Sequence, residues 1–187
     1  TARLGGRTVT VCGIAKGAGM IEPHMATMLA FLTTDAVVPR ADLEALFRRA
    51  AGSTFNAVSV DGCESTNDTA LILANGVAGN RPIRAGSVDG RRFGALLEEV
   101  TGRLARAMAE DGEGATKRIE IRITGARTRG EARRIAYAVA RSNLVKTAFY
   151  GGDPNWGRII AAAGSVGIPL PADRVELFFE EVRLFAS

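Results

Sequence analysis

The chain has 187 residues, 47% of them hydrophobic, enough to bury a sizeable core in one or two domains. Lys and Arg number 24 against 20 Asp and Glu, a net charge of +4, yet the arginines fall in pairs within amphipathic stretches and no basic run or interleaved aromatics suggest nucleic acid as a partner. No apolar run reaches the ~20 residues of a membrane span, the N-terminus lacks the order of a signal peptide, and Cys12 and Cys63 form no metal or disulfide motif; a cytosolic protein with two buried thiols is expected, with no membrane or nucleic-acid partner.

Thr8 to Ile14, TVTVCGI, is short and β-branched between Gly5-Gly6 and Lys16-Gly17, and reads as one strand. It delivers the chain to a polar, glycine-rich loop. Gly17 and Gly19 resemble the start of a dinucleotide fingerprint, but Glu22 stands where the third glycine belongs and no helix pattern follows. Met28 to Thr34 is apolar and β-prone on both sides of the pleat, which predicts a central strand covered on both faces. Leu43, Leu46, Phe47 and Ala50 predict an amphipathic helix over Ala41 to Ala51. Phe55 to Val60 reads as a strand that opens into a polar turn and helix cap at Ser65 to Thr69, with Thr69 to Ala74 beginning a helix. Asn67-Asp68-Thr69 fits a glycosylation sequon by chance alone.

Gly76 to Asp89 is rich in Gly, Pro and Arg and predicts an exposed connection. Phe93, Leu96, Leu97, Val100, Leu104 and Met108 then mark a long helix ending near Gly112. Glu113 follows between Gly112 and Gly114, on a loop where a carboxylate can approach a ligand. Ile119 to Ile123 alternates with period two and reads as a half-buried strand. Thr128 and Glu131 form a capping box for a helix containing Ile135 and Val139. The GGDPNWGRI stretch, turn residues with one tryptophan and an arginine, reads as shaping a pocket or turning a corner, and Val175-Glu176-Leu177 with Val182-Arg183-Leu184 as two paired strands. Mixed rather than strictly alternating elements predict an α+β fold with helices layered on largely antiparallel sheet. A boundary near residue 90 would divide it into 1–90 and 91–187.

The chemistry centres on Lys16 to Asp35, KGAGMIEPHMATMLAFLTTD, where Ala26-Thr27 stands at a loop-to-strand junction. Cleavage there would give a chain beginning with threonine, whose freed α-amine (reference pKa roughly 7.7–8.0) lies beside its own hydroxyl and can serve as its base. His24 is the single histidine, and this arrangement has no need of it. The pattern KGxGMIxPxMATMLxFLTTDA resembles the processing segment of the ornithine acetyltransferases, the glutamate N-acetyltransferases of the cyclic arginine pathway. The stretches Asp61 to Thr69, Asp111 to Lys117 and Val145 to Arg158 resemble further blocks of that family, in the same order.

The resemblance implies an α+β fold, Thr27 as nucleophile after self-cleavage between Ala26 and Thr27, and Lys16 and Glu113 as substrate-binding residues beside Thr27. It implies transfer of acetyl from N2-acetyl-L-ornithine to L-glutamate with no metal and no cofactor, and leaves open whether acetyl-CoA serves as a second donor. Relative to the family pattern the chain looks like a piece: a large N-terminal portion carrying the Thr-Gly oxyanion donors and a C-terminal portion with further substrate contacts are missing, so a complementary chain or segment, in a hetero-oligomer of processed chains, is expected as partner. Two other readings stay open. An N-terminal nucleophile amidase or aminopeptidase would use water as acceptor, and an uncleaved chain, with Thr27 still in an amide, would be an inactive precursor or interaction module.

Overall fold

The computed structural model describes residues 1–17, 19, 28–63 and 67–186. They form two compact units, Thr1–Ala115 and Thr116–Ser187. The expected division near residue 90 falls inside a helix instead, because that helix packs on the first helix and the central sheet and so belongs whole to the first unit.

The first unit opens with a hairpin of β1 (Ala2–Leu4) and β2 (Arg7–Val9), turned by Gly5 and Gly6 at φ 54 and 84, the left-handed pair that a two-residue hairpin loop requires. The predicted single strand over Thr8 to Ile14 is therefore two, since β3 (Val11–Lys16) joins a different sheet. The break is at Thr10: its N–H donates to Asp35 Oδ1 at 2.7 Å and its carbonyl accepts from Thr34 Oγ1 at 2.7 Å, so side chains take the place of ladder bonds there.

The central sheet runs in the order β3, β4 (Leu29–Thr34), β5 (Thr69–Ala74), antiparallel then parallel. β4 is central as predicted. Thr69 to Ala74, read as a helix start, is instead a strand; a short continuous apolar run suits either state, and pairing with β4 decides it. Phe55 to Val60, read as a strand, holds a 3-10 turn at Phe55–Ala57.

Two helices packed on each other share a core with one face of this sheet. α1 (Arg40–Ser53) buries Leu43, Leu46, Phe47 and Ala50, the four residues its periodicity singles out. α2 (Val88–Glu110) buries Phe93, Leu96, Leu97, Ala105 and Met108, each large side chain contributing about 1.5–3 kcal/mol. Ser87 caps α2 by accepting from Gly90 N–H at 2.9 Å. α2 lies so close to β3 that a Cβ at Gly13 would stand 2.9 Å from Leu104 Cδ1 and 3.1 Å from Leu32 Cγ. Gly13→Ala should therefore destabilise the protein by roughly 1–3 kcal/mol, read as a lower urea midpoint at unchanged slope. At the start of α1, Asp42 accepts from Ala85 N–H at 2.9 Å and pairs with Arg84 at 3.2 Å. The Ala85 N–H, then Arg84, hold its carboxyl below the ordinary carboxylate value, against partial desolvation. With the folded pKa depressed, its stabilisation is present above about pH 4 and lost as pH falls through the folded value; Asp42→Asn should flatten that acid limb of the melting temperature.

The opposite sheet face is apolar and exposed. Ile14, Phe31 and Leu71 lie in register across the three strands at 71%, 43% and 41% exposure, with Leu73 at 59%. The expectation that β4 is covered on both faces thus fails: Ala30, Leu32 and Thr34 are buried, while Phe31 and Thr33 are exposed. Cys12 and Cys63 are also exposed rather than buried.

In the second unit, α3 (Arg129–Arg141), α4 (Asn143–Tyr150) and α5 (Trp156–Gly164) accompany a hairpin of β6 (Glu176–Phe179) and β7 (Val182–Ala186), the two strands expected there. Ile135, Val139, Val145, Ile159 and Ile168 form its core. Phe149 stacks on Phe179 and Trp156 on Phe185, with centroids 5.2 and 4.8 Å apart. Thr128 accepts from Glu131 N–H at 3.1 Å, completing the predicted helix cap. The GGDPNWGRI stretch is a turn only in its first half, since Asn155 caps α5 through Arg158 N–H at 3.2 Å. Ile119 to Ile123, read as a strand, has no ladder partner among the described residues, although Ile121 and Ile123 pack on the core. Alternation marks a half-buried segment, and only pairing makes it a strand.

Candidate functional site

β3 ends at Lys16, opposite Leu29 in the antiparallel ladder. That register brings Lys16 beside the start of β4, the strand entered directly after Thr27. Ala26, Thr27 and His24 themselves lie outside the described residues. Glu113 is delivered from the other side. α2 closes at Asp111, Ala115 N–H returns to Gly112 O at 2.9 Å, and Gly114 takes φ 70, a left-handed turn that glycine adopts without strain. Glu113 is thereby placed on a tight loop, as its flanking glycines suggested.

The two meet. Lys16 and Glu113 line one cleft of about 790 Å³ in the first unit, together with Asp61 and Asp111 and floored by Leu104 and Met108. Its size is within the ~300–1,000 Å³ usual for small-molecule sites. At Gly19 a Cβ would stand 3.6 Å from Glu113 Oε2 and 3.9 Å from Asp61 Oδ2, so Gly19 lies close to both carboxylates. One ammonium and three carboxylates over an apolar floor suit a small ligand that itself carries both signs of charge. Asp61 and Asp111 open two of the family-like stretches, and nothing in their local spacing shows that they share a cleft.

The start of β4 is fixed from β5. Met28 is 4% exposed, its N–H donates to Asp68 Oδ1 at 2.7 Å, and its carbonyl accepts from Thr69 N–H at 3.0 Å. Asp68, read as part of a turn and helix cap, instead bonds across 40 positions of sequence. Thr34 and Asp35 serve the corner at Thr10. A separate groove of about 630 Å³ in the second unit includes Arg141 and Arg158; Arg158 donates to Leu144 O at 2.9 Å and Thr147 Oγ1 at 3.2 Å, tying α5 to α4.

Fold and site together define an α+β protein with a charged cleft at the end of its central sheet. A model of the ArgJ family matches residues 1–187, and the chain belongs to that family. It is 55% identical over 184 residues to the arginine biosynthesis bifunctional protein ArgJ of Geobacter sulfurreducens, covering 98% of this chain and 47% of that protein. The like-named protein of Thermus thermophilus is 51% identical over 175 residues, covering 94% of this chain and 44% of the other. A crystal structure of the arginine biosynthesis bifunctional protein argJ from Bacillus halodurans is similar with TM-score 0.78 and 37% identity, over 82% of this chain and 72% of that one. The chain spans about half the length of the relatives it matches by sequence. Among the described residues no helix is long and apolar enough to cross a membrane.

Proposed function

We propose that the chain carries the nucleophile and part of the substrate cleft of an acetyltransferase that moves acetyl from N2-acetyl-L-ornithine to L-glutamate in cytosolic arginine biosynthesis. The observation that carries this reading is the single cleft shared by Lys16 and Glu113, residues distant in sequence that meet beside the strand entered from Thr27. The relatives' names place those proteins in arginine biosynthesis.

Maturation comes first. The Thr27 hydroxyl attacks the Ala26 carbonyl, the amide C–N bond breaks as the ester forms, and water hydrolyses the ester to free the Ala26 carboxyl and the Thr27 amine. In turnover that amine takes the Oγ proton as Oγ attacks the acetyl carbonyl of N-acetylornithine. The proton then passes to the departing ornithine amine, leaving acetyl-threonine. The neutral α-amine of glutamate next attacks that ester, acetylglutamate leaves, and Oγ recovers its proton. Lys16 would pair with a substrate carboxylate and Glu113 with its ammonium. The acetyl group passes from amine to hydroxyl to amine, so the transfer itself needs no metal or cofactor. The word bifunctional in the relatives' names fits acetyl-CoA as a second acetyl donor.

The oxyanion of each tetrahedral intermediate needs donors, and these would come from a complementary segment or chain, assembled with this one as a hetero-oligomer. The exposed apolar face of β3-β4-β5 and the half-length match support such a partner. The test is an exchange assay on the complete natural polypeptide with acetyl-labelled N-acetylornithine. Labelled N-acetylglutamate with parallel double-reciprocal lines is expected. Labelled acetate whose yield ignores glutamate would make the protein an amidase.

A further inference from the structure

The backbone N–H of Met28, the residue that follows Thr27, is held by a side chain distant in sequence, that of Asp68 just before β5. That N–H donates to Asp68 Oδ1 at 2.7 Å, a short, charge-assisted bond, while the Met28 carbonyl accepts from Thr69 N–H at 3.0 Å. The parallel ladder between β4 and β5 starts at Leu29 and Thr69. Asp68 therefore adds one more bond to the sheet beyond its last residue pair, at the step that leads to Thr27. The Met28 side chain is buried in the core, so Met28 is held through both its backbone and its side chain.

We infer that Asp68 is a positioning residue: its carboxylate holds the Met28 N–H, one residue after Thr27, and so anchors the point at which the nucleophile joins β4, in self-cleavage and in acetyl transfer alike. This rests on Thr27 as nucleophile. The role asks for a hydrogen-bond acceptor at Oδ1 rather than for a proton carrier, and a displacement of about 1 Å at a reacting group can cost roughly 100-fold in rate.

The experiment compares wild type, Asp68→Ala, Asp68→Asn and Thr27→Ala in the complete natural polypeptide, following chain cleavage by intact mass and acetyl transfer by kcat and KM. Asp68→Ala should slow cleavage and lower kcat about 100-fold while KM stays within about threefold. Asp68→Asn keeps an acceptor oxygen and should recover to within about tenfold of wild type. Asp68→Ala cleaving and turning over within threefold of wild type would overturn the inference, as would a folded Asp68→Asn that fails as deeply as Asp68→Ala. Should Asp68→Ala not fold, Asp68→Asn decides alone, supporting the role within tenfold of wild type and contradicting it beyond that. Thr27→Ala separates the two claims. If it cleaves like wild type, the nucleophile reading fails and this inference with it; if only it stays uncut, the nucleophile reading stands and the Asp68 role alone is lost.

Discussion

Thr27→Ala is expected to leave the complete polypeptide uncut between Ala26 and Thr27 and to lower acetyl transfer by roughly 10⁴–10⁶-fold, the scale of removing a nucleophile from an acyl-transfer enzyme. Both losses have one cause. The hydroxyl is the attacking group in maturation and in turnover, and the amine that serves as its base exists only after the cut. Thr27→Ser keeps a hydroxyl on the same carbon, Cβ, and should still cleave. Intact mass and an acetyl-exchange assay on the same preparations read both effects, and an alanine variant that cleaves would remove the mechanism.

Lys16→Met should raise KM for both N-acetylornithine and glutamate about 10–100-fold, since each substrate carries an α-carboxylate and a hydrogen bond to a charged group contributes about 1.5–3 kcal/mol. Glu113→Gln should act more selectively. N-acetylornithine has one ammonium, at the end of its side chain, whereas glutamate must present a neutral amine to attack. The KM for N-acetylornithine should therefore rise about 10–100-fold and that for glutamate much less. Both side chains are exposed at the cleft, so the melting temperature should hardly move. Steady-state kinetics on the two variants checks this, and unchanged KM values in both would take the cleft out of substrate binding.

What the sequence disclosed follows the range of the forces involved. α1 and α2 were legible because a helix writes its buried face into local spacing, as Leu43, Leu46, Phe47 and Ala50 do. β5 was misread because TALILA carries no periodicity that separates strand from helix; its state is decided by β4. Ile119 to Ile123 failed in the opposite sense, showing strand alternation where the described residues provide no partner. At the site, Lys16 and Glu113 came from residue motifs that resemble a family, and their common cleft became visible only through the fold. Asp68 reads locally as part of a turn, because no local pattern shows that its carboxylate accepts from the backbone of Met28.

The central claim is that Ala26-Thr27 is where the chain is cut to make its own nucleophile. N-terminal sequencing with intact-mass analysis of the freshly purified, complete natural polypeptide tests it most directly. The account predicts two fragments, the second beginning Thr-Met-Leu-Ala. A single chain that stays uncut under conditions where acetyl transfer proceeds would contradict it.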